Sequence, residues 1–298
     1  GSLIIIAYNM AAAVLRCLGD SRTPLFAIIA ASFANIALDL LFVMGFGWGI
    51  FGASFATVLA QLIAFLLCLR SRWRLPFVQL TKADWKTDPA ILLHLCRLGI
   101  PTGLQMSMIT LGGMVLQSVL NGFGVVFVAG YTAANKLYGI LESASVAFGY
   151  AMTAYMGQNL GARNAARIDA GIRAVLVLSA EFTAAIVTAM LVAGKPLLGL
   201  FLSTEEAGAA EALAVAYQYL MVLMAFLFAL FMLQAYRSSL QGLGEMTVPT
   251  LSGFAEMLMR MGAALVLPTF IGQSGVFFAE GAAWVCAAAL NLGWYYMR

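Results

Sequence analysis

The sequence predicts an all-α polytopic membrane protein with nine transmembrane helices. Hydrophobic residues make up 63% of its 298 residues and charged residues only 10%, whereas a soluble domain carries about 25% charged residues. Most of the apolar segments meet or exceed the roughly 20 residues that span a bilayer as a helix. The short segments of alternating polarity that a membrane β-barrel needs are missing from the sequence.

Nine apolar segments follow one another along the chain. They lie near residues 3–18, 24–44, 49–70, 90–120, 124–158, 168–193, 209–242, 247–269 and 275–297. Glycine and proline mark the joints between them, as in "GDSRTP", "GFGWG" and "GLGEMTVP", because these residues interrupt regular helix. The first segment is short and the chain starts inside it, so we expect the chain to begin within a longer protein.

The basic residues predict the orientation in the membrane. The second, fourth, sixth and eighth joints carry only Lys195 among them, beside Glu205 and Glu206. The opposite side carries Arg16, Arg22, Arg70, Arg72, Arg74, Lys82, Lys86, Arg97, Arg163, Arg167, Arg173 and Arg237. Because cytoplasmic loops are enriched in Lys and Arg, we expect a multi-pass protein of a bacterial cell membrane with a cytoplasmic C-terminus.

The chain also repeats itself. "LRCLGDSRTP" at 15–24 matches "LQGLGEMTVP" at 240–249, and "GIFGA" at 49–53 matches "GVFFA" at 275–279. The offset of about 225 predicts two halves related by an axis along the membrane normal. Six segments follow residue 90 but only three precede it, so we expect about 135 residues with three helices to be missing before residue 1. The predicted organisation is half of a first lobe at 1–70, a cytoplasmic linker at 71–89 and a complete second lobe at 90–298.

Four polar side chains in the first three segments share a range of membrane depth. Asp39 lies roughly 9 Å from the outer surface and Asn35, four residues earlier on the same helix face, roughly 15 Å. Thr57 lies roughly 12 Å deep and Asn9 roughly 16 Å deep. Together they offer a carboxylate, two amide oxygens and a hydroxyl, which are oxygen ligands of the kind that hard cations prefer.

The alternative is that each of these groups bonds to a neighbouring helix, which is a common use of Asn and Thr in membranes. That alternative explains Thr57 better than a binding site does, and it explains Asn9 and Asn35 equally well. It explains Asp39 less well, because an intramembrane carboxylate is costly and these three segments place no basic residue at its depth.

Several stretches resemble the multidrug and toxic compound extrusion (MATE) family, and its DinF-like branch in particular. They are "LGDSRTP", the N-x-x-x-D of 35–39, "GIFGASFATVLAQ", "YTAANKLYGILES" and "MGQNLGARN". The resemblance covers the whole chain, from the family's fourth helix to its twelfth, and implies nine helices of a twelve-helix transporter with two lobes of six. In that branch the first lobe holds a site for Na⁺ or H⁺, and its residues on helices four to six match Asn9, Asn35, Asp39 and Thr57.

The family's site also includes an Asp on the first helix, which falls in the portion that we expect to be missing. In the other branch an acidic residue of the seventh helix is used instead. At that position this chain reads "LQMSMITLGG", without an acid, which favours the first-lobe site.

The resemblance implies an antiporter that exports amphipathic, often cationic, organic compounds in exchange for Na⁺ or H⁺ by alternating access. We expect a monomer among membrane lipids, with the coupling ion in place of any cofactor and no metal beyond a possible Na⁺. Glu142 is a candidate for a substrate cavity that attracts cations, or else a structural pairing partner. Glu256 and Arg260, four residues apart, are expected to form an internal ion pair.

Two rival functions remain at this point. One is a flippase for lipid-linked oligosaccharides from the same superfamily, against which the scarcity of intramembrane Arg and Lys argues. The other is a membrane scaffold or a fragment that transports nothing. An enzyme is not expected, because the sequence shows no nucleotide-binding loop, metal-ligand cluster or nucleophile–base pair, and nucleic-acid binding is not expected because the few basic residues adjoin membrane helices.

Overall fold

The computed structural model describes residues 1–72, 86, 88–202 and 208–297. This described part contains nine α-helices and no strand, as the sequence predicts. The chain divides into two compact units, Gly1–Pro89 (unit 1) and Ala90–Arg298 (unit 2).

Unit 1 contains three helices that pack through small side chains. They are α1 (Ser2–Cys17), α2 (Arg22–Asp39), which continues as a π-helical turn (Leu40–Gly45), and α3 (Gly49–Arg72). The buried side chains between them are Tyr8, Ala12, Leu15, Ala27, Ala31, Ala60, Ala64 and Cys68. Alanine is prominent in this core because small residues let membrane helices approach closely.

Unit 2 contains six helices, of which α7 buries the most side chains. The helices are α4 (Pro89–Asn121), α5 (Val125–Gly161), α6 (Ala165–Gly199), α7 (Ala209–Gly242), α8 (Thr247–Ile271) and α9 (Phe278–Met297), with a 3₁₀ turn (Gln273–Phe277) before α9. α7 packs against α5, α6 and α9, and α8 packs mainly against α9. The large side chains of Tyr219, Phe231 and Trp284 are fully or almost fully buried in this core.

Seven helical segments of the described residues are long and apolar enough to cross a membrane. The 16-residue α1 is apolar but shorter than a bilayer requires, and the 37-residue α5 carries Asn, Lys, Glu and Gln side chains among its apolar ones. With this many spanning segments the chain is a multi-pass membrane protein, which confirms the fold class predicted from composition.

Two boundaries differ from those read in the sequence. α3 ends at Arg72 and α4 begins at Pro89, so the linker predicted at 71–89 starts inside a helix, and its residues 73–85 and 87 lie outside the described part. α6 continues to Gly199, so Lys195 belongs to a helix end and not to the joint predicted at 194–208. Its ammonium lies 4.8 Å from the centre of the Tyr217 ring.

The repeated sequence motif forms the same turn at both of its occurrences. Gly19 and Gly244 end α1 and α7 with φ of 89° and 83°, a conformation that glycine adopts without strain. The next residue in each turn donates its N–H five residues back, from Asp20 to the oxygen of Leu15 and from Glu245 to that of Leu240, both at 2.9 Å. The shared helix–turn–helix plan predicted from the repeat is confirmed at this local level.

A third turn of this kind follows α5 and has an arginine where the other two have glycine. Asn164 donates its N–H to the oxygen of Asn159 at 3.0 Å, and Arg163 takes the left-handed conformation with φ of 54°. That conformation costs a residue with a side chain roughly 1–2 kcal/mol.

We expect Arg163→Gly to stabilise the protein by about 1 kcal/mol, because glycine removes this strain and the exposed arginine side chain adds little packing. Thermal unfolding of the purified full-length protein in detergent measures the effect. Ala162→Gly is the matched control, since Ala162 has a φ of −78° and no strain to lose. A lower melting temperature for Arg163→Gly than for the wild type would contradict the prediction.

Candidate functional site

Two contacts fix how α2 lies along α3 in unit 1. Near one end the hydroxyls of Thr23 and Ser71 share a hydrogen bond of 3.2 Å. Near the other end α3 approaches Phe42 so closely that a Cβ on Gly52 would lie 3.0 Å from the Cβ of Phe42. The two helices are therefore antiparallel. Both contacts define the same register, because Phe42 follows Thr23 by as many residues as Gly52 precedes Ser71.

This register brings three of the predicted site residues to neighbouring levels. Asp39 lies level with Phe55, Asn35 lies level with Leu59, and Thr57 lies between those two levels. At 1.5 Å per residue, the three positions fall within roughly 6 Å along the helix axes. The depth range predicted from the sequence for these three is therefore consistent with the register of α2 and α3.

Asp39 and Asn35 each carry a buried polar atom without a partner. Oδ1 of Asp39 and Nδ2 of Asn35 are buried, and neither has a hydrogen-bond partner within the described part of the chain. A buried polar group that makes no hydrogen bond is costly. Neither atom therefore bonds to a neighbouring helix within the described residues, and both remain available to a ligand.

Thr57 and Asn9 are bonded to their own helices. The Thr57 hydroxyl donates to the oxygen of Ala53 at 3.0 Å, and Nδ2 of Asn9 donates to the oxygen of Ile5 at 3.0 Å. Both side chains are exposed. The hydroxyl of Thr57 and the amide oxygen of Asn9 can still accept from, or coordinate, a ligand.

Asn9 lies further from the other three residues than the depth count predicts. Gly1 lies against Val58, where a Cβ on Gly1 would be 2.7 Å from Cγ2 of Val58. Asn9 lies eight residues after Gly1 on α1, which places it roughly 12 Å along the helix axis from the level of Val58. The count inward from Leu18 predicts only roughly 4 Å between the levels of Asn9 and Thr57. The two values differ because the count takes the level of α1 from the end of that helix, whereas in the structure packing against α3 sets the level of α1.

Gln61 is a residue of this site that the sequence reasoning did not single out. Its Oε1 is buried and has no partner among the described residues, and it lies one turn from Thr57 on α3. Side chains lean toward the N-terminus of their helix, so Asp39 and Gln61, on antiparallel helices, lean toward each other across roughly 9 Å of helix axis. The sequence could have indicated Gln61 through its spacing, because Thr57 and Gln61 lie four residues apart, as Asn35 and Asp39 do.

A π-helical turn begins directly after Asp39. The N–H of Phe46 donates to the oxygen of Leu41, five residues back, at 2.9 Å, and the rings of Phe42 and Trp48 stack with centres 5.2 Å apart. π-helical turns are rare and occur often at functional sites. Here the turn and its aromatic cluster cover the side of the polar group nearest the α2–α3 loop.

The arrangement in unit 1 suits a small cation or a proton. Asp39 supplies a carboxylate oxygen, Gln61 an amide oxygen and Thr57 a hydroxyl, whereas the unpartnered Nδ2 of Asn35 is a donor and does not ligate a cation. Oxygen ligands with one negative charge can bind a hard cation, and the carboxylate can take up a proton in its place. No other charged side chain lies at the levels of Asn35 to Asp39 on the helices of the described unit 1.

Unit 2 contains a second polar group, built from buried ion pairs. Glu256 accepts from Arg237 at 2.6 Å and from Arg260 at 3.0 Å, and Arg260 also pairs with Glu280 at 2.9 Å. Nη1 of Arg260 donates to the backbone oxygen of Ile109 at 3.1 Å. The pairing of Glu256 with Arg260 predicted from their spacing is confirmed, and the network additionally joins α4, α7, α8 and α9.

Arg237 was assigned to a cytoplasmic joint, and that assignment is wrong. It lies inside α7 and is 4% exposed, because its partner is Glu256, which lies 19 residues later in the chain, on α8. Arg237 and Arg260 are therefore both basic residues buried among membrane helices. With two such arginines, a scarcity of intramembrane Arg and Lys no longer distinguishes this chain from a flippase, although both arginines are paired with carboxylates.

Glu142, the candidate for a substrate cavity, lies on α5 and is half-buried. It interacts with the Tyr138 hydroxyl and lies within electrostatic range of Arg260 and Glu256. Tyr138 in turn stacks on Trp284 of α9, with ring centres 5.6 Å apart. Glu142 thus belongs to the surroundings of the ion pairs in unit 2.

Comparisons with known proteins connect this architecture to a family. A family model described as MatE matches residues 101–266. The probable multidrug resistance protein YpnP of Bacillus subtilis (strain 168) is 36% identical over 210 residues, which are 70% of this chain and 46% of that protein. The probable multidrug resistance protein YoeA of the same strain is 27% identical over 292 residues, 94% of this chain and 62% of that protein.

Solved structures show the same fold. A MATE transporter in complex with MaL6 superposes with a TM-score of 0.91 at 23% identity, over 100% of this chain and 67% of that one. The outward-facing conformation of a multidrug resistance MATE family transporter of the MOP superfamily gives the same TM-score, identity and coverage. The chain spans about half to three fifths of the length of the relatives described above.

Proposed function

We propose, because this chain belongs to the MatE family, that the full-length protein is a cation-coupled antiporter that exports amphipathic, often cationic, organic compounds. The names of its relatives support this proposal at the level of drug export, since YpnP and YoeA are both named as probable multidrug resistance proteins. The choice of Na⁺ or H⁺ as the coupling ion stays open, because the same oxygen ligands serve either.

The observation that carries the proposal is the unpartnered Oδ1 of Asp39. A carboxylate among membrane helices is costly unless it is paired or neutralised, and this atom is buried without a partner in the described structure. A bound cation or proton relieves that cost. We therefore assign the coupling ion to Asp39, with Asn35, Thr57 and Gln61 as its neighbours, and Asn9 stays a predicted contributor from the resemblance.

Ion binding would drive transport by shifting a conformational equilibrium. An ion changes the populations of two conformations only if it binds them with different affinity. The π-helical turn after Asp39 supports such a difference. Such turns occur often at functional sites, and this one changes the backbone hydrogen bonding directly after Asp39. The proposal thus places alternating access under the control of the occupancy at Asp39, in a monomer whose C-terminus faces the cytoplasm.

Transport in liposomes tests the proposal. The full-length protein is reconstituted with a fluorescent organic cation, and a Na⁺ gradient and a pH gradient are imposed separately. We expect one of the two gradients to drive dye movement above the level of protein-free liposomes, and that gradient identifies the coupling ion. If neither gradient moves the dye, the proposal is wrong, and flipping of a fluorescent lipid-linked sugar in the same liposomes distinguishes a flippase from a scaffold.

A further inference from the structure

A groove runs between α5 and α6 near the loop that joins them. It encloses about 620 Å³, which is within the roughly 300–1,000 Å³ of sites that bind small molecules. Its floor consists of the buried residues Met152, Gly171 and Val175, and exposed alanines of both helices form its rim. No charged side chain of the described residues lines the groove, and Tyr155 supplies its one hydroxyl. The interior therefore suits an apolar chain.

The groove is nearly as long as the hydrocarbon layer of one membrane leaflet is deep. On α6 its lining begins at Ala170 and ends at Leu178, and on α5 it extends from Tyr155 back to Ala147. Each stretch covers roughly 12 Å along its helix axis. One leaflet contributes about 15 Å, which is half of the hydrocarbon core. The groove can therefore accommodate most of one lipid acyl chain.

Arg167 lies at the end of this groove, on the same face of α6. Successive residues of an α-helix turn by about 100°, so Arg167 lies within about 20° of the average direction of the α6 residues that line the groove. The Tyr155 hydroxyl donates to the backbone oxygen of Arg167 at 2.8 Å. A Cβ on Gly171 would collide with the Tyr155 ring, so this ring lies directly against the floor. Tyr155 thus joins the groove to the first turn of α6.

The positive charge at this end of the groove is not cancelled by a neighbouring side chain. Arg163 in the loop and Arg167 are both exposed, and neither forms an ion pair with a residue that the structure describes. Asp169 lies about 170° around α6 from the centre of the groove and within electrostatic range of Tyr295 on α9. The carboxylate nearest in sequence is therefore directed away, and the end of the groove suits an anionic group.

We propose that this groove binds one anionic phospholipid, with its phosphate at Arg163 and Arg167 and an acyl chain along the floor. Charge complementarity favours an anionic over a zwitterionic headgroup, and the apolar interior favours a lipid over a free phosphate. In the orientation predicted from the basic residues, the groove opens to the cytoplasmic leaflet, whose surface anionic lipids make negative. Basic sites between membrane helices on that side bind anionic headgroups in other membrane proteins.

Native mass spectrometry of the delipidated full-length protein tests the proposal with phosphatidylglycerol and phosphatidylcholine of identical acyl chains. We expect the wild type to bind one phosphatidylglycerol roughly tenfold or more tightly than phosphatidylcholine, because each arginine contributes roughly fivefold. Arg167→Gln should lower the affinity for phosphatidylglycerol roughly fivefold. Arg173→Gln is the matched control and should leave this affinity nearly unchanged, because Arg173 is an exposed arginine of the same helix that lies about 130° from the centre of the groove.

Two further variants separate the headgroup from the acyl chain. Ala174→Phe places a ring in the groove while both arginines remain, and it should lower the affinity for phosphatidylglycerol roughly tenfold or more, since apolar contact along the groove is lost. Arg163→Gly should lower that affinity roughly fivefold although we expect it to stabilise the protein in detergent. A loss of binding in a variant that is more stable than the wild type cannot result from misfolding.

The results that overturn the proposal are equally specific. They are equal affinity of the wild type for the two lipids, or an Arg167→Gln variant that binds phosphatidylglycerol as Arg173→Gln does. A folded Ala174→Phe variant with wild-type affinity would show that no chain enters the groove. Displacement of the lipid by soluble glycerol 3-phosphate in large excess would identify a phosphate site and not a lipid site. Thermal unfolding shows whether each variant is folded.

Discussion

Asp39→Asn is expected to abolish gradient-driven export by the full-length protein. Asparagine has nearly the same shape as aspartate but no charge, so the variant retains the packing of α2 against α3 and loses the carboxylate that would bind the ion. Loss of one partner from a buried charge interaction costs about 2 kcal/mol or more, which weakens ion binding roughly 30-fold or more. The liposome assay should therefore show dye movement at the level of protein-free liposomes under either gradient.

Gln61→Leu provides a graded comparison on the facing helix. It removes the buried Oε1 that has no partner within the described residues, and a contact with a charged group is worth about 1.5–3 kcal/mol. We expect the ion concentration for half-maximal transport to rise roughly tenfold or more while the ion still drives export. Ser32→Ala is the matched control, because its hydroxyl is exposed and donates to the oxygen of Ile28 on its own helix at 2.9 Å.

Either result in the opposite direction would count against the site. Asp39→Asn with wild-type coupling would remove Asp39 from the mechanism, whichever ion drives export. Gln61→Leu with the ion dependence of Ser32→Ala would show that Gln61 is a bystander, even if Asp39 is essential.

The sequence predicts the helices of this protein well because the membrane imposes a simple rule on them. A spanning segment must satisfy its backbone internally and present apolar side chains to lipid, so length and apolar content alone locate α2, α3 and the helices of unit 2. The turns at Gly19 and Gly244 can also be predicted from the sequence, because the backbone there has a positive φ, which glycine adopts without strain. These features depend on residues that are neighbours in the chain.

The features that the sequence did not reveal depend on residues from different helices. Arg237 looks like a loop residue by position, and only Glu256 on α8 explains its burial. Gln61 looks unremarkable until the register of α2 and α3 places it roughly 9 Å along the helix axis from Asp39, with the two side chains leaning toward each other. The face shared by Asn35 and Asp39 could be predicted because a four-residue spacing is a property of one helix, whereas the depth of Asn9 depends on packing against α3.

Glu256→Gln is expected to destabilise the protein by about 3–5 kcal/mol, the cost of breaking a buried ion pair from one side. Glu256 accepts from Arg237 at 2.6 Å and from Arg260 at 3.0 Å. A neutral glutamine leaves Arg237 in a site where its side chain is 5% exposed and no other carboxylate pairs with it in the described structure. Thermal unfolding in detergent measures the loss, with the exposed Glu181→Gln as control.

The double variant Arg237→Met with Glu256→Met separates the pair's net contribution from the cost of an unpaired charge. Removing both partners leaves Arg260 matched by Glu280 at 2.9 Å, and apolar side chains of similar volume often replace a buried pair without loss. We therefore expect the double variant to regain most of the stability that Glu256→Gln loses. If it is as unstable as Glu256→Gln, the ion pair itself holds α7 to α8, since few other contacts join these two helices.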